Sequence, residues 1–60
     1  MSKEDKIIEY IRQNGSISSQ KAADIGGYKS KTGARKLLDK MIEKGLITKI
    51  GNGPATKYVI

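Results

Sequence analysis

Apolar and polar residues follow two different periods along this chain, and the change between them falls at Gly45. Ile7, Ile8 and Ile11 stand at i, i+1 and i+4, one stripe of a helix, with Glu4, Asp5 and Glu9 near its start, where the macrodipole favours anions. The predicted first helix runs from Lys3 to Asn14, capped by Ser2 and stopped by Gly15. Ser16-Ile17-Ser18 is short for a strand, but it is placed to pair with a later hairpin as a third, edge strand that points Ile17 inward. Ser18 is set to cap a second helix from Ser19 to Ile25, with Ile17 and Ala22 at the N′ and N4 positions of a hydrophobic staple. Gly26-Gly27 ends that helix, and Tyr28-Lys29 is expected to form a tight turn.

The third helix has the fullest pattern. Ala34, Leu37, Leu38, Met41 and Ile42 occupy i, i+3, i+4, i+7 and i+8, the template of a helix with one buried stripe. Ser30 as N-cap and Gly45 as the stop predict a span from Lys31 to Lys44. Thr32, Lys36, Lys40 and Glu43 point away from the stripe, and Arg35 flanks its boundary. After Gly45 the period shortens to that of a strand. Leu46 to Ile50 and Thr56 to Ile60 are β-prone runs separated by Gly51-Asn52-Gly53-Pro54-Ala55, a five-residue loop suited to a hairpin. The expected order is therefore α-β-α-α-β-β in one domain covering residues 1–60, an α+β fold.

Composition narrows the function classes. The chain of 60 residues has no Cys and no His, which removes the usual ligands of structural zinc and the usual general base, so neither a metal, a cofactor nor an enzymatic role is expected. Residues 1–6 are charged or polar after Met1, with no apolar segment of the signal-peptide kind behind them, and the longest apolar run is Tyr58-Val59-Ile60. No membrane association is expected, and the reading is of a cytoplasmic protein.

Charge points further. The chain carries a formal +6, divided unevenly. Lys3, Lys6, Arg12, Lys21 and Lys29 nearly balance Glu4, Asp5, Glu9 and Asp24 in the first half. Lys31, Arg35, Lys36, Lys40, Lys44, Lys49 and Lys57 face only Asp39 and Glu43 in the second. A near-neutral half joined to a basic half implies a polyanion-binding face on the third helix and hairpin. A lysine-rich solvated surface is the plainer account of the same skew.

Three helices and a C-terminal hairpin, with a short glycine-containing turn between the second and third helices, make a helix-turn-helix with a wing. The run from Ser30 to Ile47, then Lys49-Ile50-Gly51-Asn52-Gly53 and Thr56-Lys57-Tyr58-Val59, resembles the winged-helix domains of bacterial and archaeal transcriptional regulators. It is most similar to the small C-terminal winged helix of helicase-related regulators, whose pattern runs Ser-x-x-Thr-Ala-Arg, two spaced Leu, Gly-Leu-hydrophobic, Gly-x-Gly and Thr-x-Tyr. Ile8-Glu9-Tyr10-Ile11 and Asn14-Gly15-Ser16-Ile17-Ser18 match its first part, so the resemblance covers nearly the whole chain.

The resemblance implies double-stranded DNA binding in transcriptional regulation, with the third helix in the major groove and residues 46–60 as the wing. It assigns Ser30, Lys31, Thr32, Arg35 and Lys36 to DNA from the third helix. Gln20 and Lys21 join them from the start of the second helix, and Lys49, Asn52 and Lys57 from the wing. Ser30 with the N–H groups of Lys31 and Thr32 offers an anion site, and Arg35 has the geometry for guanine. Lys40, Lys44, Asp39 and Glu43 are read as outside the contact, the two acids serving solubility and intrahelical pairing. Tyr10, Tyr28 and Tyr58 are read as packing residues. Two positions depart from the pattern. Gly33 stands where a side chain is common, either to let the helix approach a phosphate or base edge or as drift in the first turn. Asn52 is the only long polar side chain at the wing tip, where the pattern often has Arg or Lys. A monomer with about five or six phosphate-neutralising side chains would bind duplex non-specifically at roughly 10⁻⁴–10⁻⁶ M, so specificity calls for a homodimer partner or a larger host protein. The alternative is a winged helix that binds another protein and no nucleic acid.

Overall fold

Serines begin all three helices in the computed structural model, which describes residues 2–60. Helix α1 (Lys3–Asn14) opens on a reciprocal capping box: the Asp5 N–H donates to Ser2 Oγ at 3.1 Å, and the Ser2 N–H donates to Asp5 Oδ2 at 3.4 Å. Helix α2 (Ser19–Gly26) opens on Ser18, whose Oγ accepts from the Lys21 N–H at 3.1 Å. Helix α3 (Lys31–Glu43) has Ser30 in the N-cap position with extended backbone, but the Ser30 side chain makes no capping hydrogen bond. The expectation that Ser30 caps α3 is corrected in that respect: its position is right, and its hydroxyl leaves the first-turn N–H groups to other acceptors. The second helix also ends one residue later than expected and the third one residue earlier.

Gly45 stops α3 for a backbone reason. Its φ is 76°, its N–H donates to the Ile42 carbonyl at 2.9 Å, and the Leu46 N–H donates to the Met41 carbonyl at 2.9 Å. That pair of bonds is a Schellman turn, and glycine takes its left-handed residue at little cost. The chain then enters a two-stranded antiparallel hairpin, β1 (Thr48–Ile50) with β2 (Lys57–Val59), paired Thr48 to Val59, Lys49 to Tyr58 and Ile50 to Lys57. Both strands are shorter than the β-prone runs that contain them. The loop is correspondingly longer: a 3₁₀ turn over Gly53–Ala55, closed by the Thr56 N–H on the Gly53 carbonyl at 3.1 Å, takes up residues between the strands.

The segment 16–18 is not a strand. Ile17 alone bridges to Tyr58, each N–H donating to the other's carbonyl at 2.9 Å. Entry into α2 at Ser19 leaves only Ser18, the N-cap, extended after Ile17, too little to continue a ladder, and the single bridge anchors the hairpin to the helices.

The result is a small α+β domain in which α2 packs against both α1 and α3. Its core comprises Ile7, Ile11, Ile17, Ala22, Ala23, Ala34, Leu38, Met41, Ile47 and Tyr58, drawn from every helix, the bridge and the hairpin. The predicted stripes supply most of it, with Ile8, Ile25, Leu37 and Ile42 half-buried at its edge. Among the described residues one ion pair forms, Lys44 Nζ to Glu4 Oε2 at 3.0 Å, tying the end of α3 to the start of α1. The intrahelical pairing expected of Asp39 and Glu43 is absent among the described residues.

Gly33 has a different explanation from either one expected. A Cβ built there would stand 2.7 Å from Tyr28 Cδ1, and one built on Gly26 would stand 2.6 Å from Tyr28 Cε2. The Tyr28 ring thus slots between the end of α2 and the first turn of α3, with Lys3 Nζ 4.3 Å from its centroid as a cation–π contact. Gly33→Ala is expected to cost a net of about 1 kcal/mol, since overpacking costs about 1–3 kcal/mol and the better helix propensity of Ala returns about 1 kcal/mol. In a Tyr28→Ala background the same change should stabilise by about 1 kcal/mol. Thermal melts of the four chains in this cycle measure the reversal, and a Gly33→Ala effect of the same sign in both backgrounds would contradict the packing account.

Candidate nucleic-acid interface

Helical spacing decides which basic side chains meet. Lys31, Arg35 and Asp39 recur at i, i+4 and i+8, a row inclined only slightly to the axis of α3. This row forms one wall of a cleft of about 460 Å³. Ser18, Ser19 and Gln20 at the start of α2 form another, and Lys49, Gly53, Thr56 and Tyr58 close it from the hairpin. Four expected contact residues therefore share one concave surface: Gln20, Lys31, Arg35 and Lys49. The three cations among them are exposed, and among the described residues none forms an ion pair. Their field is directed to solvent rather than spent within the domain.

Strand register separates two residues that were expected to act together. Lys49 pairs with Tyr58, and cross-strand partners share a face, so Lys49 stands beside Tyr58 on the cleft side. Lys57 pairs with Ile50 on the opposite face of the hairpin. A five-residue loop over 51–55 would have set Lys49 opposite Lys57; the observed loop is one residue longer, and one residue of slip reverses a side chain's face. Lys57 is thereby removed from the cleft.

Lys21 is also turned elsewhere. One residue after Gln20, and so about 100° further round α2, its Nζ stands 5.6 Å from the centroid of the Tyr10 ring on α1. Gln20 remains at the cleft, its Nε2 donating to Asp24 Oδ1 at 3.4 Å. Ser30, Thr32, Lys36 and Asn52 are exposed and do not line the cleft. Thr32 and Lys36 form the next row round α3, on the face directed straight away from the core.

The structure adds two residues to this surface that the sequence reading had set aside, Asp39 and Tyr58. The spacing of Asp39 from Lys31 and Arg35 was visible in the sequence and carries the signal. Tyr58 is 3% exposed and belongs to both core and cleft. Burial pushes its phenol above the usual range, the Asp39 carboxylate raises it further, and the Arg35 guanidinium opposes both. A phenol harder to ionise in the folded state contributes stability that is complete below about pH 10 and is lost as pH rises through the raised value. The absorbance change of phenolate in wild type minus that in Tyr58→Phe should therefore appear above about pH 10; a difference midpoint at or below that pH would refute the burial of this group. No family model matches this chain, and no curated protein and no solved structure matches it.

Proposed function

We propose that the domain is a winged helix that binds double-stranded DNA through the cleft surface, in transcriptional regulation. In this reading α3 enters the major groove, Arg35 meets a base edge, and the hairpin serves as the wing, with Lys49 on the adjoining phosphates. The observation that carries the reading is the gathering of Lys31, Arg35 and Lys49, all free of ion pairs among the described residues, against the start of α2. Basic side chains on one helix face and one strand, flanked by helix starts, are what a polyanion backbone selects. The first turn of α3, which the Ser30 hydroxyl leaves uncapped, is open to a phosphate in the same docking. Lys36 and Thr32 on the neighbouring row extend the contact. With so few phosphate contacts, specific recognition rests on a second copy or a larger host protein.

A salt titration of a short labelled duplex by fluorescence anisotropy tests this. Three or four phosphate contacts predict a log–log slope of about −2.7 to −3.6, or a loss of about 40- to 150-fold in affinity between 50 and 200 mM salt. Binding that holds constant as salt rises would remove the electrostatic basis of the proposal.

One observation favours a second reading, a protein-interaction module. Leu46, Ile50 and Ile60 are 38%, 46% and 61% exposed on and beside the hairpin. A domain of that kind would show no salt-dependent duplex binding at all.

A further inference from the structure

Asp39 has no place yet in the duplex reading. Among the described residues it is the only acid lining the cleft, on the same row as Lys31 and Arg35, and each step of that row advances about 6 Å along the helix. It is exposed, and among the described residues it makes no ion pair or side-chain hydrogen bond. It lines the cleft together with Arg35 and the Tyr58 ring. A carboxylate in a surface built for phosphates is repelled by every backbone group of a duplex. Its favourable partners are the amino groups on base edges, cytosine N4 and adenine N6. Adenine carries the N7 acceptor beside N6, which repels the second carboxylate oxygen, whereas cytosine presents only C5–H beside N4. One helical turn earlier, Arg35 matches guanine O6 and N7 with two parallel donors. A cation followed by a carboxylate on successive turns of one helix is thus complementary to G·C pairs.

We propose that Asp39 is a specificity-determining residue: it accepts a hydrogen bond from cytosine N4 and, with Arg35 on guanine, makes the domain prefer G·C-rich over A·T-rich duplex. This inference rests on the reading of the cleft as a duplex-binding surface. It differs from that reading in naming which duplex is taken, and in giving the negative charge a positive role.

The experiment compares wild type, Asp39→Asn and Asp39→Ala on an all-G·C and an all-A·T duplex at one salt concentration. Circular dichroism and thermal melts check that each variant is folded. Wild type should favour the G·C duplex by roughly tenfold or more. Asp39→Asn, whose amide suits adenine N6 and N7, should cut that ratio by roughly fivefold or more, and Asp39→Ala should cut it less, while losing the negative charge strengthens binding to both duplexes. Equal strengthening on both duplexes with an unchanged ratio would overturn the inference and leave the duplex reading standing. Equal affinity of wild type for the two duplexes would do the same. Absence of binding to either duplex at low salt would overturn both.

Discussion

A domain carrying Lys31→Glu and Arg35→Glu is expected to keep its fold and lose its duplex binding. Both side chains are exposed and, among the described residues, unpaired, so their removal breaks no internal contact of measurable strength. The phosphate contact of Lys31 contributes a factor of about five in affinity at 0.15 M salt through counterion release and the base-edge contact of Arg35 about 1–3 kcal/mol, so deleting both costs about 25-fold or more, and reversing their sign costs more. The salt slope should fall by about one, the share of Lys31. Lys57→Glu is the matched control. It changes net charge in the same direction, but register places it on the far face of the hairpin with Ile50, so its effect on affinity should be several-fold smaller. Equal losses from reversal at Arg35 and at Lys57 would show that net charge, rather than the cleft, drives binding. A protein partner held by Leu46, Ile50 and Ile60 would tolerate the changes at Lys31 and Arg35 and respond to the one at Lys57, which stands beside Ile50.

Leu38→Ala is expected to have the largest effect on stability. Leu38 is 0% exposed in the middle of α3 and packs, among the described residues, in a core of ten buried side chains. Leu→Ala at such a site costs about 2–5 kcal/mol, the lost transfer energy plus the cavity left behind. A chain of this length has roughly 3–9 kcal/mol of stability in total. The substitution therefore consumes a large part or all of it, and each kcal/mol lowers the midpoint of a domain this small by about 4–8 °C. Leu46→Ala is the internal comparison, because Leu46 is 38% exposed just past the end of the same helix and should cost well under 1 kcal/mol. Thermal or urea denaturation of the two variants measures the ratio; similar losses would mean that the core is not centred on α3.

Charge and core are thus carried by the same helix on neighbouring faces, and the two experiments separate them. The reversal variant should melt near wild type and fail to bind, while Leu46→Ala should bind near wild type. Leu38→Ala should lose binding only in proportion to the fraction unfolded.

The helices were legible in the sequence because their determinants are local. Ser2 with Asp5, Ser18 with the Lys21 N–H, the stripe through Ala34, Leu38 and Met41, and the stop at Gly45 all act within a turn or two of chain. So did the uneven division of charge, which singled out α3 and the hairpin before any packing was known. Of the candidate site, Lys31, Arg35, Gln20 and Lys49 came together as the element order required. What the tertiary structure decided depends on residues far apart in sequence or on a loop of one residue more or less. The register of the hairpin parted Lys57 from Lys49, and a two-residue periodicity makes such a slip a complete change of face. The Tyr28 ring, lying between α2 and α3, explains the absence of a side chain at Gly33, which no local rule accounts for. Ile17 became a bridge because its partner, Tyr58, is placed by the fold of everything between them. Asp39 had the right spacing throughout, but only the hairpin laid against α3 turned that spacing into the wall of a cleft.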